Sequence, residues 1–181
     1  MIKKILVGLG IVLAIFVVIA ALKPEDYLIK RSIMIKANAD VIYPYLVSMK
    51  KADTWMPWND LDPNVKTTYL GPEEGSGAIS SWVSTGDMGT GQAEVVEVVP
   101  NQLVKTKITY TKPMEMSQDS QFILEPQAES TQMTWSVTGK QPFIARLICT
   151  MLFMNMDKYV GGMFEQGLNK LKLIVEQGSE K

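Results

Sequence analysis

Histidine is absent from this sequence, and cysteine occurs only once, as Cys149. Histidine is the commonest general base near neutral pH and the commonest zinc ligand. Its absence therefore excludes a Ser-His-Asp hydrolase and a histidine-bound zinc site. A single cysteine cannot form a disulfide within the chain. Because Cys149 lies in the apolar run LICTMLF, we expect its thiol to be buried and unreactive.

An excess of charge of one sign is also lacking. The chain carries 18 lysine and arginine residues and 19 aspartate and glutamate residues, which leaves a formal net charge of -1. A nucleic-acid partner would require a basic surface, so none is expected. No CxxC pair, P-loop or dinucleotide fingerprint is present, and the carboxylates of Glu73, Glu74, Asp60 and Asp62 are interpreted as solvated loop charges. We predict no catalytic residue, no metal site and no cofactor, and the sequence leaves open whether the protein is an enzyme.

One long hydrophobic run is present at the N-terminus. Residues 5–22 carry no charge and, at about 1.5 Å per residue, would span about 27 Å, close to the roughly 30 Å hydrocarbon core of a bilayer. Lys3 and Lys4 precede the run, and Glu25 and Asp26 follow it. This asymmetry predicts a single-pass membrane protein whose N-terminus is cytoplasmic and whose remaining chain lies on the extracytoplasmic side.

A cleaved signal peptide is the alternative interpretation, with residues 18–20 as a weak cleavage site. The apolar part of a signal peptide is usually about 7–15 residues long. This run is longer, which favours an uncleaved anchor, and both interpretations predict export. We assign residues 1–23 to the anchor, 24–28 to a linker interrupted by Pro24, and 29–178 to one globular domain.

The hydrophobic pattern after the linker has a period of two. A strand is expected from Tyr27 onwards, followed by a short helix that Asn38 or Asp40 would cap and that contains Pro44 in its first turn. Six more short strands are expected from Lys66 to Gly139, separated by turn residues. Because no helical pattern interrupts them, they predict an antiparallel meander and not a parallel sheet.

The period changes after Gly139. From Pro142 to about Gln177, apolar residues recur at steps of three or four, which predicts a long helix, with Asn155 or Asp157 as the cap of a new helix if the pattern is kinked. This helix contains three glycines, each of which costs about 1 kcal/mol relative to alanine. Their presence requires an explanation: Gly161, Gly162 and Gly167.

Several motifs occur in a fixed order along residues 27–176: W-x-x-W at Trp55–Trp58 with Asp62-Pro63, G-x-G-A and S-W from Gly75 to Trp82, Gly89 and Gly91, MTW at Met133–Trp135, and MD…GG-x-FE-x-GL-x-x-LK from Met156 to Lys172. In this order they resemble the SRPBCC superfamily, the START-like or helix-grip fold, in its polyketide cyclase/dehydrase and lipid-transport-like branch. The resemblance implies an α+β fold. We expect a curved antiparallel sheet of about six or seven strands with a long C-terminal helix packed across it, preceded here by one transmembrane helix.

The resemblance also implies an apolar cavity between the sheet and the C-terminal helix. The glycines of that helix would then let it approach the sheet or leave open volume beside it; the alternative is that they only relieve packing against tryptophan side chains. Trp82 and Trp135 are likewise either cavity-lining or core residues. Trp55 and Trp58 lie in a loop and could cover the cavity entrance, plug one end of it, or lie at the membrane interface. The residues expected to line the cavity and bind the ligand are Trp55, Trp58, Trp82, Tyr110, Met133, Trp135, Met156, Val160, Met163 and Phe164.

Polar groups of the cavity are harder to identify from the sequence. Tyr110, Glu97, Arg31 and Asp157 are candidates. If Glu97 points inward, burial would raise the pKa of its carboxyl group, as is common at functional sites; if it points outward, it is an ordinary surface residue.

Three functions are compatible with these features. The first is a membrane-tethered binding or carrier module for an apolar small molecule or lipid, bound to the membrane through residues 5–22. The second is a cyclase- or dehydratase-like enzyme, and the third is a module that binds a protein partner, which the sequence does not identify. The apolar segment 142–156, in which only Arg146 is charged, is either a surface that dips into the bilayer or a helix buried against the sheet.

Overall fold

Six helices and seven strands make up the part of the chain that the computed structural model describes, residues 1–86 and 88–178. A 3-10 turn at Pro57–Asp60 lies between α4 and β2. The elements in chain order are α1 (Ile2–Leu22), β1 (Asp26–Ile35), α2 (Ala39–Ile42), α3 (Pro44–Val47), α4 (Met49–Ala52), β2 (Lys66–Leu70), β3 (Ile79–Val83), β4 (Thr90–Val99), β5 (Leu103–Lys112), β6 (Met116–Gln127), β7 (Ser130–Lys140), α5 (Phe143–Met151) and α6 (Met156–Gly178).

The strands form one antiparallel sheet in the order β1-β7-β6-β5-β4-β3-β2. Strands β2 to β7 are the predicted meander, and β1 joins it beside the last strand. This seven-stranded sheet, with its long C-terminal helix and N-terminal apolar helix, confirms the expected fold class. The first strand begins at Asp26, which pairs with Lys140, so it takes in residues 26–28 of the segment proposed as a linker.

Cross-strand register decides which side chains share a face of the sheet, because successive residues of a strand point to opposite faces. Arg31 contacts α6 through Asp157 and Glu165, and its partner across β7, Trp135, stacks on Phe164 of α6. We call the face that α6 covers the inner face. The registers extend it from β1 to β3 through these residues: Tyr27, Ile29, Ile33, Ile35, Met133, Val137, Gly139, Gln118, Ser120, Phe122, Leu124, Val104, Thr106, Ile108, Tyr110, Gly91, Ala93, Val95, Ser80 and Trp82.

The core lies between the inner face and the C-terminal part of α6. From α6, Phe164, Leu168, Leu171 and Val175 are each at most 1% exposed. Their spacing of three and four residues places them on one side of the helix, as the sequence pattern predicted. Burying apolar side chains of this size stabilises a fold by about 1.5–3 kcal/mol each relative to exposure, so this stripe holds α6 to the sheet.

The long helical pattern after Gly139 is broken in the structure. α5 ends at Met151 and α6 begins at Met156, and the Oδ1 atom of Asn155 accepts a hydrogen bond of 3.0 Å from the backbone N–H of Lys158. Of the two proposed caps, Asn155 is therefore the one used. For the first short helix, Asn38 occupies the N-cap position of α2, as one of the two proposals expected, but its side chain makes no cap hydrogen bond.

Arg31 explains the presence of Gly161. A Cβ atom built at Gly161 would lie 2.0 Å from Nη2 of Arg31, because the guanidinium lies directly against the helix backbone. From there it donates to the carboxylate of Asp157 at 3.0 Å and to that of Glu165 at 2.8 Å. The glycine therefore makes room for an ion-pair bridge between β1 and α6, a purpose that neither sequence interpretation had considered.

The other two glycines of α6 differ from Gly161. A Cβ atom at Gly167 would meet the ring of Pro57 at 2.9 Å and the indole of Trp135 at 3.4 Å, so this glycine permits close packing, as expected. A Cβ atom at Gly162 would have nothing within 4 Å, and no contact accounts for that glycine.

The N-terminal helix α1 is long and apolar enough to cross a membrane, with a mean hydropathy of 3.2 in an 18-residue window. A signal sequence would meet the same criteria. Most of its side chains are exposed, and only Ala20 is buried. The helix therefore presents an apolar surface that the rest of the chain leaves largely uncovered.

Candidate functional site

Most of the half-buried residues of the inner face gather at one end of the sheet, whereas Arg31 and Ile33 lie farther along β1. β1 starts shortly after α1 ends at Leu22, so Tyr27 lies at the end of the sheet nearest α1. The registers place five more half-buried residues across the same end of β3 to β6. We call these residues the open patch: Tyr27, Trp82, Ala93, Ile108, Tyr110 and Gln118.

The polar atoms of the open patch are connected through Gln118. The Tyr27 hydroxyl donates to Oε1 of Gln118 at 2.6 Å, and Nε2 of Gln118 donates to the Tyr110 hydroxyl at 3.4 Å. The indole of Trp82 meets the Tyr110 ring edge-on, with ring centroids 5.6 Å apart. Two phenols, an amide and an indole therefore form an uncharged polar edge beside the apolar side chains of Ala93 and Ile108.

Burial keeps these phenols neutral. Desolvation raises the pKa of Tyr27 to about 12, with a smaller contribution from Tyr110, and it also raises the pKa of Tyr110. A phenol whose pKa is raised is a poor general base near neutral pH. The two hydroxyls can therefore donate and accept hydrogen bonds as neutral groups.

Two glycines let the aromatic rings lie flat on the sheet. A Cβ atom at Gly91 would lie 2.7 Å from the Trp82 ring, and a Cβ atom at Gly139 would lie 2.7 Å from the Tyr27 hydroxyl. Both glycines face inward on strands adjacent to the ring concerned. They leave room above β4 and β7 that the two aromatic side chains fill.

One side of α6 carries a stripe of half-buried apolar residues. Met156, Val160 and Met163 are half-buried and follow each other at steps of four and three, so they share one side of the helix. The stripe continues to Gly167, which contacts Pro57 and Trp135. It therefore faces the interior of the sheet and not its β1 edge.

The ten residues predicted to bind ligand fall into two groups. Trp55, Met133, Trp135 and Phe164 are at most 2% exposed and belong to the core. Trp135 stacks on Phe164 with ring centroids 3.8 Å apart and meets Trp55 edge-on at 5.5 Å, which fills the space between sheet and helix at that level. The remaining six are half-buried: Trp58, Trp82, Tyr110, Met156, Val160 and Met163.

Sequence reasoning missed four residues of the open patch, namely Tyr27, Ala93, Ile108 and Gln118. Each lies in a predicted strand, but only the register shows that they share one end and one face. The period-two pattern gives alternation along a strand and leaves the pairing between strands undetermined. No local signal could have found this set.

The charged candidates lie elsewhere. Glu97 is exposed, and its carboxylate forms an ion pair of 2.7 Å with Lys105 on the outer face, so the outward alternative holds. Arg31 and Asp157 form the bridge between β1 and α6, and the hydrogen bond from Arg31 lowers the pKa of the Asp157 carboxyl. These groups have structural partners and do not belong to the open patch.

Two surface clefts are lined by other residues. One, of about 480 Å³, adjoins the open patch through Tyr27 and Gly139 at the end of the sheet nearest α1. The other, of about 350 Å³, lies at the opposite side around Met49, Tyr69 and Ala78. Neither contains a residue predicted from the sequence.

Beside the second cleft, the half-buried carboxyl of Asp53 pairs with the partly exposed phenol of Tyr69. The Tyr69 hydroxyl donates to Oδ2 of Asp53 at 2.5 Å. Burial raises the pKa of Asp53, only partly offset by this hydrogen bond, and burial together with Asp53 raises the pKa of Tyr69. Since the folded state holds the Asp53 proton more tightly than the unfolded state, its contribution to stability is present below about pH 4 and is lost as the pH rises through the raised pKa.

We therefore expect Asp53→Asn to gain stability relative to the wild type as the pH rises from about 4 to 7. The amide oxygen can still accept the bond from Tyr69 without a buried charge. Tyr69→Phe, which removes the donor, should have the opposite effect and steepen the loss of stability with pH. Urea denaturation at a series of pH values measures both, and parallel curves for all three proteins would contradict the prediction.

Comparison with known proteins adds a family and several structures of the same fold. A family model described as polyketide cyclase/dehydrase and lipid transport matches residues 28–176. Protein CV1439 from Chromobacterium violaceum is 12% identical with a TM-score of 0.59, over 82% of this chain and 96% of that one. Protein MLL2253 from Mesorhizobium loti is 15% identical with a TM-score of 0.59, over 83% and 98% of the two chains.

A third similar structure is the solution structure of the Aha1 dimer from Colwellia psychrerythraea. It is 17% identical with a TM-score of 0.56, over 81% of this chain and 93% of that one. At such identities the likeness to these structures shows the fold alone. A search of curated proteins found no match to this sequence.

Proposed function

This chain belongs to the polyketide cyclase/dehydrase and lipid transport family, and from that premise we propose that it is a membrane-tethered binding or carrier module for an apolar small molecule or lipid. The single observation that carries the proposal is the open patch. Aromatic and aliphatic side chains that are only half-buried lie together there on the inner face, at the end of the sheet nearest α1. Exposed apolar surface of this kind is typical of a ligand-binding groove.

We propose an open groove and not an enclosed cavity as the binding site. The stacked rings of Trp135 and Phe164 fill the space between the sheet and α6 at their level, so we place the ligand towards the open patch. We assign the α6 stripe of Met156, Val160 and Met163 as the opposite wall. Methionine side chains are flexible and polarizable, so this wall can adapt to ligands of different shape.

The chemistry of the patch indicates the ligand class. No residue of the open patch is ionisable near neutral pH, and the hydroxyls of Tyr27 and Tyr110 stay protonated because burial raises their pKa. A charged headgroup would lose its hydration there without an opposite charge in return. We therefore propose a ligand with an apolar body and one small uncharged polar group, such as a hydroxyl or carbonyl, facing Gln118.

The enzyme alternative receives less support. A cyclase or dehydratase requires a positioned acid or base in the groove. Glu97 points away from it, and the pKa of Tyr110 is shifted in the direction that disfavours proton abstraction. The binding proposal needs none of these groups to be reactive.

The tether completes the proposal. α1 would hold the domain at the outer surface of the membrane, with Lys3 and Lys4 on the cytoplasmic side. A carrier fixed there can exchange an apolar ligand with the bilayer over a short distance. This placement follows from the charge asymmetry and the apolar length of α1.

Photo-crosslinking of the full-length protein in lipid nanodiscs tests the proposal. The probe is a neutral long-chain alcohol that carries a diazirine, and mass spectrometry locates the adducts. We expect adducts on the open patch and on the α6 stripe, and we expect Ala93→Trp, which fills the groove, to reduce them at least about tenfold, or about 1.4 kcal/mol in binding.

Val96→Trp is the matched control, because Val96 lies on the same strand and is 46% exposed. It should leave the adducts on the groove unchanged. Adducts on α1 report contact with bulk lipid and should be equal in all variants. The proposal is wrong if adducts occur only on α1 and α5, or if both tryptophan variants reduce them equally.

A further inference from the structure

α5 lies against α1 and not inside the globular domain. Phe153, just after α5, meets Phe16 of α1 edge-on with ring centroids 6.0 Å apart. Nη1 of Arg146 donates to the backbone carbonyl of Lys23 at 2.5 Å. Ala20, the only buried residue of α1, lies between these two contacts along the helix. The alternative of a helix buried against the sheet is therefore wrong.

Much of the surface of α5 and of the turn after it is nevertheless exposed and apolar. We call α5 and the turn after it, residues 143–154, the α5 wedge. Its exposed side chains are Phe143, Ile144, Ile148, Met151, Leu152, Phe153 and Met154, with exposures from 38% to 84%. Cys149, predicted to be buried, is half-buried and accepts a hydrogen bond from Gln141. In water, this would be an unusually large contiguous apolar patch.

The contact with Phe16 fixes the depth of the wedge relative to α1. Phe16 lies 22 - 16 = 6 residues before Leu22, the last residue of α1. At about 1.5 Å per residue, the contact lies about 9 Å below that end of the helix. If α1 spans the bilayer, Phe153 is therefore at the depth of the hydrocarbon and not at the surface.

The charges are arranged in agreement with this depth. Arg146 is the only charged residue of the α5 wedge, and its guanidinium reaches the carbonyl of Lys23, at the end of α1. Just beyond, Lys140 forms an ion pair of 2.7 Å with Glu25. Charged groups thus lie at one level and the apolar side chains below it, as in helices that lie in a membrane interface.

We infer that the α5 wedge inserts into the outer leaflet of the lipid bilayer beside α1 and sets the open patch directly on the membrane surface. This inference rests on the membrane tether of the proposed function, and it adds a second contact with the bilayer. β7 leads directly into α5 through Pro142, and Gly139 of β7 lies beside Tyr27 of the open patch. Insertion of the wedge would therefore bring the groove to the lipid headgroups.

Spin-label depth measurements on the full-length protein test this inference. The protein carries Cys149→Ser and one added cysteine, at Ile148→Cys or Phe153→Cys, and is reconstituted into phosphatidylcholine–phosphatidylglycerol vesicles. The control positions are Leu13→Cys in α1 and Lys105→Cys on the outer face of the sheet. All four positions are partly or fully exposed. Phe153→Cys removes the ring contact with Phe16, so Ile148→Cys reports the depth of the wedge with that contact intact.

We expect labels at positions 148 and 153 to resemble position 13, with high accessibility to oxygen and low accessibility to a water-soluble nickel chelate. Position 105 should show the reverse. If positions 148 and 153 match position 105 while position 13 stays in the bilayer, the wedge inference is overturned and the tether stands. If position 13 is also accessible to nickel, the tether fails and the inference fails with it. The crosslinking pattern on the open patch is a separate measurement.

Discussion

Replacing Trp135 by alanine is expected to lower the free energy of unfolding by about 3–5 kcal/mol, the range for large-to-alanine changes in a core. Trp135 is 2% exposed, and its ring stacks on Phe164 with an interplanar angle of 7°. The ring also meets Trp55 and Phe122 at centroid distances of 5.5 and 5.4 Å. One side chain thus joins the sheet, α6 and the loop before the 3-10 turn, so its removal leaves a cavity that no neighbour can fill.

Trp135→Phe separates the ring stack from the hydrogen bond. The Nε1 atom of Trp135 donates to the Ser120 hydroxyl at 3.1 Å in a buried position. Phenylalanine keeps part of the stack but leaves that hydroxyl without this donor, at a cost of about 1–3 kcal/mol. We therefore expect an intermediate loss of stability.

Trp82→Ala is the matched control, because Trp82 is a tryptophan of the same inner face that is only half-buried. Its ring has Tyr110 as its aromatic neighbour, and its loss should cost less than half as much as the loss of Trp135. Urea denaturation of the full-length proteins in detergent, followed by circular dichroism, measures the three variants. Equal costs for the two alanine variants would show that the core and the open patch are not distinct.

The second large effect concerns two adjacent glycines, Gly161 and Gly162, at which substitution by alanine is expected to change the stability of the fold in opposite directions. Gly161→Ala should destabilise the fold by about 1–2 kcal/mol, because the new methyl group displaces the guanidinium of Arg31 from its bonds to Asp157 and Glu165. Gly162→Ala should stabilise it by about 0.5–1 kcal/mol, because alanine is the better helix former and nothing lies within 4 Å of the added atom.

A double-mutant cycle with Arg31→Ala tests the cause. Without the arginine side chain, the cost of Gly161→Ala should disappear and turn into a gain of up to about 1 kcal/mol, whereas the gain from Gly162→Ala should be unchanged. If Gly161→Ala costs the same in both backgrounds, the clash is with another group. Thermal unfolding of the six proteins gives the required differences.

Much of the fold could be predicted from local patterns. The strand segments from Lys66 to Gly139 appeared where the period-two pattern placed them, because each hydrophobic alternation is complete within one strand. The buried side of α6, with Phe164, Leu168 and Leu171, could also be predicted from a local pattern, since it depends only on the helical repeat. The sequence offered Asn155 or Asp157 as the cap of a new helix, and the hydrogen bond from Lys158 to Asn155 shows that Asn155 is used.

The candidate site was predicted less completely. Composition and resemblance selected Trp82, Tyr110 and the α6 stripe, which are half-buried, together with Trp55 and Trp135, which fill the core. A tryptophan in a sequence shows a large apolar surface and not which neighbours cover it. Ala93 has a small side chain without a functional group, so nothing in the sequence marks it as a site residue, although the strand register places it in the open patch.

The sequence by itself determined an apolar N-terminal helix, a family, an antiparallel meander and a closing C-terminal helix, because each depends on composition, period or motifs within a short stretch of chain. Only the tertiary structure decided that Glu97 points outward, that Arg31 occupies the space of a side chain at Gly161, and that α5 lies on α1. These features join residues far apart in the chain. They depend on strand register and on the volumes of facing side chains, which no local pattern contains.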